Sequence, residues 1–402
     1  MSKKTTVSKE PESELQQLEQ KLAHDIDEIT KPENAYANLY KKRLEETTKK
    51  LSQAYQRIAE LEVARDEILG LQNNTVVIPE WVKSSQSNGY VVSDNIPILL
   101  ASDWHYGEVI DSKEMPNGNC YNTKVADLRI QRLTKGVIAK ISAKNKSVRG
   151  IVVCFLGDDI SGDIHDELKE TNAATAMESV LLVAAQKTKM LQELQKAFGN
   201  VWVISVPGNH GRNTIKMPSK NLVGHNYDTL VTMMVEAQLR SNPNIQFFTP
   251  KSGEAYFTIN NTNFMATHGD RIGSRGGQGF IGPSATIARG QHKTRQAYAQ
   301  IGKAIDWLLI GHFHVPLQLE HTLANGTLVG YNQYARDLRV EPDFPSQTLF
   351  MVDPRYGVTD VSRIYVTNRE NIGKDKELFR RGTKVVLTHS IATPAWIKEN
   401  HR

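Results

Sequence analysis

Ile151-Val152-Val153-Cys154-Phe155-Leu156-Gly157-Asp158-Asp159 is the stretch on which the fold turns: six apolar residues stop at a glycine followed by two carboxylates. A short unbroken apolar run bounded by turn residues is the pattern of a strand buried on both faces, and the acids fall where its carboxyl end emerges. The pattern recurs outward from there. Residues 98–101 run into Asp103-Trp104-His105, 201–206 into Gly208-Asn209-His210, and 307–310 into Gly311-His312-Phe313-His314. The shorter run 264–267 ends at His268-Gly269-Asp270. Polar side chains at successive strand ends converge on one crevice, which is where open α/β sheets build their sites.

Between these runs lie helical patterns over 123–144 and 173–198, so 96–366 reads as a catalytic domain with a sheet and helical crossovers. Strand pairs follow: 255–259 with 264–267, then 317–323 with 328–331 joined by Asn325-Gly326, a hairpin-turn dipeptide. A second, more antiparallel sheet is therefore predicted. Residues 1–72 are rich in Glu, Lys, Gln and Leu. From Tyr40 through Leu44, Thr47, Leu51, Ala54, Ile58, Leu61, Arg65 and Ile68 the steps alternate as heptad seam positions do, which predicts a helical, coiled-coil-like arm. Thr30-Lys31-Pro32-Glu33 reads as a helix start, so an earlier helix carrying Leu15, Leu18, Leu22 and Ile29 ends before it. The arm either self-associates into a homodimer, binds a partner, or folds as a hairpin. Asn, Ser, Pro and Gly mark 73–95 as a linker, and 367–402 reads as a basic appendage containing Arg380, Arg381 and Lys384.

Hydrophobic residues make up 39% and charged residues 23% of the 402 positions, which suits a water-soluble globular chain. No apolar stretch approaches the roughly 20 residues a membrane span needs, and the amino terminus lacks the apolar core of a secretory signal. The two cysteines, Cys120 and Cys154, imply no disulfide framework, with Cys154 inside a strand pattern as a buried thiol. A reducing, cytoplasmic setting is expected. The net charge of +5 allows a polyanionic partner without requiring one.

Carboxylate, imidazole and amide donors without thiolates suit Mn, Fe or Zn better than a structural Cys-rich zinc site. Asp158 has two oxygens and can bridge two cations, and two ions about 3.5–4 Å apart can clamp a phosphate and stabilise a leaving oxygen.

The five signatures in this order resemble those of the calcineurin-like metallophosphoesterase superfamily over residues 96–366. The Asp103–Glu108, Ser161–Leu168 and Gly208–Arg212 stretches are similar to members carried by bacteriophages and prophages, and DNA-repair exonucleases belong to the same superfamily. The resemblance implies an α/β fold built as a two-sheet β-sandwich flanked by helices. It also implies two divalent ions, most simply Mn2+, with Fe or Zn as alternatives. Asp103, His105, Asp158 and His314 would hold one ion, and Asp158, Asn209, His268 and His312 the other. A hydroxide bridging the ions would attack phosphorus while His210 stabilises the transition state or protonates the leaving oxygen. Many relatives carry Asp or Glu directly after the Gly-Asn-His histidine, where this chain has Gly211, so the orientation of His210 is open, with Asp159, Asp163 or a substrate group as alternatives. Asp270 reads as a partner orienting His268 or as a loop cap, and Asp159 as a support rather than a ligand.

Arg212 and His165 are candidate substrate contacts. So are Arg271 and Arg275, in a segment that sets Gly273, Gly276, Gly277, Gly279 and Gly282 among Arg271, Arg275, Arg289, Lys293 and Arg295. Cations on a flexible backbone suit a phosphate chain. The expected activity is a metal-dependent phosphodiesterase acting on nucleic acid, exo or endo, in a bacterial or phage-infected cytoplasm. The alternatives are a phosphatase or small-molecule or cyclic-nucleotide phosphodiesterase, and a scaffold on the same fold. The segment after Asp159 lacks the arginine of serine/threonine protein phosphatases and the His or Asn some nuclease relatives have near Ser161.

Overall fold

The computed structural model describes residues 20–21, 42, 44–49, 78–83, 95–144, 148–214, 216, 220–272, 283–337 and 341–380. The chain divides into two units, Met1–Asn73 and Asn74–Arg402. In the first, residues 44–49 are helical, with Thr48 Oγ1 donating to Leu44 O at 2.8 Å. Most of the heptad seam and the earlier helix lie outside the described residues.

The second unit holds two sheets. The first contains β1 (Ile96–Ala101), β2 (Ile151–Phe155), β3 (Val201–Ser205), β4 (Ile245–Phe248), β10 (Ser346–Asp353) and β11 (Gly357–Tyr365), in the order β11-β10-β1-β2-β3-β4. The β1–β4 block is parallel and β10 and β11 are antiparallel additions. The second contains β5 (Ala255–Ile259), β6 (Thr262–Ala266), β7 (Trp307–Ile310), β8 (Leu317–Leu319) and β9 (Thr322–Ala324), in the order β5-β6-β7-β9-β8. It is mixed: β6, β7 and β9 run parallel while β5 and β8 are antiparallel edges. The helices are α1 (Thr123–Lys144), α2 (Asp166–Thr171), α3 (Ala176–Phe198), α4 (Tyr227–Leu239), α5 (Ser284–Gln300), α6 (Gln333–Asp337) and α7 (Ile372–Arg380).

Period-two alternation sorts the strand residues into layers. Leu99, Ala101, Val153, Phe155 and Val203 pack with Val125, Leu133, Val183, Leu191 and Val235 of α1, α3 and α4. Their neighbours Ile98, Leu100, Cys154, Trp202 and Ile204 face Phe257, Phe264, Ala266 and Leu309 of the second sheet. Met265, Leu308, Ile310 and Ala324, on the far face of that sheet, pack with Ile287 of α5. The result is two sheets face to face with helices outside both, as the resemblance implied. Helix α3 starts three residues later than its pattern predicts, because Thr175 and Glu178 form a reciprocal capping box. Both cysteines are buried and free. Among the described residues no helix is long and apolar enough to cross a membrane.

Three expectations meet a different structure. Asn325-Gly326 is not a hairpin turn: β8 and β9 pair across Glu320–His321, and residues 328–331 form no strand. Asn325 is wholly buried, taking the Thr348 amide at 2.8 Å and donating to Ser102 Oγ at 2.9 Å, so its turn chemistry is spent on tertiary contacts. In the segment read as linker, residues 80–82 form a 3-10 turn whose Val82 is buried in the inter-sheet core and whose carbonyl accepts from Asn260 N. In the segment read as an appendage, α7 buries Asp375 between Arg129 Nη2 at 3.3 Å and Arg132 Nη1 at 2.7 Å. Its polar composition conceals that docking, because a buried charge is tolerated only with partners that lie far off in sequence. Residues 381–402 lie outside the described set.

Candidate metal centre

Five loops leave the carboxyl ends of β1, β2, β3, β6 and β7 and meet. The loop after β1 is laced to the one after β2: Asp103 N donates to Gly157 O at 3.0 Å, and Trp104 N and His105 N share Asp158 O at 2.9 and 3.0 Å. The second sheet joins through His268, whose Nδ1 donates to Leu156 O at 2.7 Å, and through His312 N, which donates to Asp103 Oδ1 at 2.9 Å. Such crowding of loops explains two signature glycines by close approach. A Cβ on Gly208 would collide with the amide and carboxylate of Asp158, and one on Gly311 would lie 2.6 Å from Asp103 Oδ2.

Asp103, His105, Asp158, His312 and His314 all adopt left-handed φ, between 42° and 67°. The conformation is uncommon outside glycine and is tolerated best by Asp, Asn and His. Five of them together, each costing on the order of 1–3 kcal/mol, persist only where surrounding structure over-determines them, as it does at functional sites.

Two donor clusters adjoin, and Asp158 of one lies beside His105 of the other. Asp103, His105 and His314 bring ligand atoms within 4.8 Å of one another, as do Asp158, His268 and His312. In the first, His105 Nε2 and His314 Nε2 are 3.0 Å apart and His314 Nε2 is 3.4 Å from Asp103 Oδ1. In the second, His268 Nε2 lies 3.1 Å from Asp158 Oδ2 and 3.0 Å from Asn209 Oδ1. His105 Nε2, at 3.8 Å from the same Asp158 oxygen, links the two. Imidazole nitrogens crowded this closely with carboxylate oxygens form a donor set that fits two adjoining divalent cations of the Mn, Fe or Zn kind.

The electrostatics divide the imidazoles into two kinds, His105 and His312 shifted down and His268 and His314 shifted up. Burial, reinforced by His210 and His314, holds His105 well below the usual imidazole range, so it is a neutral donor. Burial and then His268 push His312 down to about 4. Burial opposes charge on His268 too, but Asp158 beside it prevails and holds it well above the usual imidazole range, so that a cation bound at Nε2 would take the place of a proton.

His210 completes a third cluster with His105 and Asp158. Its amide donates to Asp158 Oδ1 at 2.7 Å and its Nδ1 to Ser161 O at 2.8 Å. A carbonyl only accepts, so the proton is on Nδ1 and Nε2 is the remaining nitrogen. Ser161 O therefore orients the ring. Gly211 is glycine for want of room: a Cβ there would meet Asn226 Oδ1 and lie 2.7 Å from Asp228 Oδ1. The carboxylate at this place comes from α4. Asp228, wholly buried, accepts from Asp158 N at 2.9 Å, Asp159 N at 3.1 Å and Gly208 N at 2.8 Å.

Asp228 escapes sequence reading. The one local signal is Asn226 two residues before it, whose side chain accepts from Asp228 N at 2.8 Å as a helix cap. Lys187 is a second such residue: fully buried in α3, it bonds Asp159 Oδ2 at 2.5 Å and lies 3.7 Å from the centroid of Phe155. Behind Asp103, Ser102 Oγ donates to its Oδ2 at 2.5 Å and Gln347 Oε1 accepts from Ser102 N at 2.8 Å.

The candidate substrate contacts are less tightly fixed. His165 precedes α2, exposed, with its ring 5.9 Å from that of His210. Arg212 turns onto its own loop, donating to Thr214 O at 3.2 Å and Asn209 O at 3.1 Å. Arg271 is exposed, and Arg275 lies outside the described residues. Asp270 is close enough to His268 and His312 to favour their charged forms.

The fold and site thus define a two-sheet α/β protein with adjoining sites suited to a pair of divalent cations. No family model and no curated protein matches the chain. Among solved structures it is similar to a candidate 5'-nucleotidase of Staphylococcus aureus, at 10% identity and a TM-score of 0.30, over 71% of this chain and 58% of that one. It is also similar to a dimetal phosphatase of Danio rerio, at 10% identity and a TM-score of 0.31, over 68% of this chain and 99% of the other. The chain thus spans little more than half the nucleotidase, and at these scores neither likeness bears on what this protein does.

Proposed function

We propose that this protein is a dinuclear metal-dependent phosphodiesterase that hydrolyses nucleic acid, with Mn2+ as the working ion. One observation carries the reading: oxygen and nitrogen donors from five strand ends form two adjoining clusters, Asp103, His105 and His314 in one and Asp158, His268 and His312 in the other, with Asp158 placed next to both. Asp103, His105, Asp158 and His314 would hold one ion, and Asp158, Asn209, His268 and His312 the other. When bound, such a pair supplies Lewis-acid polarisation of the phosphoryl oxygens and a nucleophile at neutral pH. The protein's own part is positional. Ser161 O fixes His210 so that Nε2, when protonated, gives its proton to the leaving oxygen. His165, with its ring 5.9 Å from that of His210, and Arg212, on the same loop as His210, would with Arg271 and Arg275 contact non-bridging oxygens of the substrate.

The net charge of +5 and the motif likeness to phage-carried members and DNA-repair exonucleases support nucleic acid over a small ester. The N-terminal arm is proposed to self-associate or bind a partner, which cross-linking of the 1–75 fragment tests, and a cytoplasmic setting suits two free thiols. The decisive assay is Mn2+-dependent hydrolysis of linear single- and double-stranded DNA, with bis-p-nitrophenyl phosphate in parallel and Asp158→Asn as blank. DNA cleavage lost in the variant is the expected result. Cleavage of the small diester alone would reassign the substrate to a nucleotide or other small phosphoester.

A further inference from the structure

A second feature lies at the opposite end of the second sheet from the ligands. A cleft of about 550 Å3 opens between α5 and the β8–β9 turn, with Gln291, His292, Arg295, Glu320 and His321 in its lining. Two of these side chains are anchored on consecutive carbonyls: Arg295 Nε donates to Ile305 O at 3.0 Å, and His321 Nδ1 to Asp306 O at 3.0 Å. Among the described residues each is fixed along one edge, leaving the guanidinium Nη groups of Arg295 for a ligand and Nε2 of His321 as a donor to an anion only when the ring is protonated. Holding long side chains in place beforehand removes much of the entropy cost of binding.

The charge of α5 points the same way. Its 17 residues contain no Asp or Glu, while Arg289, His292, Lys293 and Arg295 follow within seven positions. Lys293 is exposed next to the cleft-lining His292 and two residues before Arg295, so positive charge continues from the cleft onto the outer face of the helix, which suits successive charges on a chain better than one isolated anion. Glu320 is the carboxylate in the lining, and its side chain is 88% exposed at the rim, 3.7 Å from His321 Nε2.

We propose that this cleft and the adjoining face of α5 bind the phosphodiester backbone of a single-stranded nucleic acid whose scissile bond lies at the metal centre. The proposal rests on reading that centre as a nucleic-acid phosphodiesterase. Strand β7 gives the distance: His321 packs on Trp307, ring centroids 6.3 Å apart, at the strand's start, and His312 lies just beyond its end. Five residues at about 3.3 Å each give roughly 16 Å, about five nucleotides if stacked at the roughly 3.4 Å rise of a duplex strand and fewer if the strand is extended. Strands longer than about five nucleotides therefore reach both places, and a dinucleotide does not.

The test is fluorescence anisotropy with labelled oligothymidylates of increasing length, in an Asp158→Asn background that blocks cleavage. Arg295→Glu and Lys293→Glu are compared with the parent across a salt series, with thermal unfolding as the check on folding. Lys293 is exposed, so its variant stays informative if Arg295→Glu misfolds. The expected result is an approximately tenfold loss of affinity for strands longer than about five nucleotides, with the log–log salt slope falling by about 0.7 for each lost phosphate contact. Equal affinity and slope in folded variants overturns the proposal, as does a parent that binds no oligonucleotide, or a loss independent of length. Length-dependent loss in a protein that cleaves no DNA would leave the cleft standing and bring down only the nuclease reading.

Discussion

Behind the ligands, Asp159, Lys187, Asp228, Asn325 and Gln347 are all buried, and each is engaged by named partners. In front of them, His165 and Arg271 are exposed and the Arg212 side chain donates to carbonyls of its own loop. The rear wall comes from helices and strands of both sheets and holds ligands against strained φ angles. The mouth comes from connecting segments, which are free to differ in detail without disturbing that wall. The difference teaches where each part resides: the clustered donors belong to the packed interior, and the candidate substrate contacts to the loops.

The largest effect should come from Asp158, the carboxylate placed between the two clusters. Asp158→Asn should lower kcat by about a thousandfold or more, since two ions together contribute several kcal/mol. Isothermal titration with Mn2+ should show the stoichiometry falling with it; unchanged stoichiometry would separate holding the ions from catalysis.

Next is the wall itself. Asp228→Ala leaves three buried amides without an acceptor and should cost about 10- to 100-fold in metal affinity or activity, as loss of a ligand's supporting partner does. Asp228→Asn should recover part of it. If Asp228→Ala turned over normally, the wall would be packing alone.

Lys187→Met should destabilise the protein by about 3–5 kcal/mol in urea unfolding, because it strands the Asp159 charge in the interior. The pair with Asp159→Leu should be closer to wild type than Lys187→Met alone. Strict additivity would show that the two side chains do not act as a pair.

A pH series tests the wall's outer edge. Asp127, which accepts from the Tyr106 hydroxyl at 2.9 Å, is pushed up by burial to about 6. The folded protein therefore holds this proton more tightly than the unfolded chain. The resulting stability is full below about pH 4, declines as pH rises to about 6, and is absent above that. Asp127→Asn should remove that component, worth at most about 3 kcal/mol, and a urea midpoint that still falls by the same amount between those values would refute it.

The smallest effects should come from the mouth. His165→Ala and Arg212→Ala should change KM several-fold with little change in unfolding midpoint, surface substitutions usually lying within about 0.5 kcal/mol. A large loss of stability in either would mean that the mouth is as fixed as the wall.

Strand runs and helices were legible because burial on a regular element imposes a period: β5, β7 and α1 begin and end where their patterns do. The residue types that gather at the strand ends and their order were legible for a related reason, since glycine, Asp and His there combine tight turns with donor chemistry. Asn325-Gly326 misled because a dipeptide that suits a turn also suits a buried hydrogen-bonding post, and only its neighbours decide between them. Asp228, Lys187 and Asp375 carried no signal that distinguished them from ordinary helix-surface charges.

By itself the sequence determined the class of fold, the strand ends that face the crevice, and the donor types gathered there, because these follow from local periodicity and side-chain chemistry. Only the tertiary structure decided that α4 supplies the carboxylate for which position 211 has no room. It alone decided which carbonyl orients His210, and that Arg295 and His321 share one cleft. Those choices depend on close approaches between segments far apart in the chain, and no local pattern encodes which of many polar residues will meet.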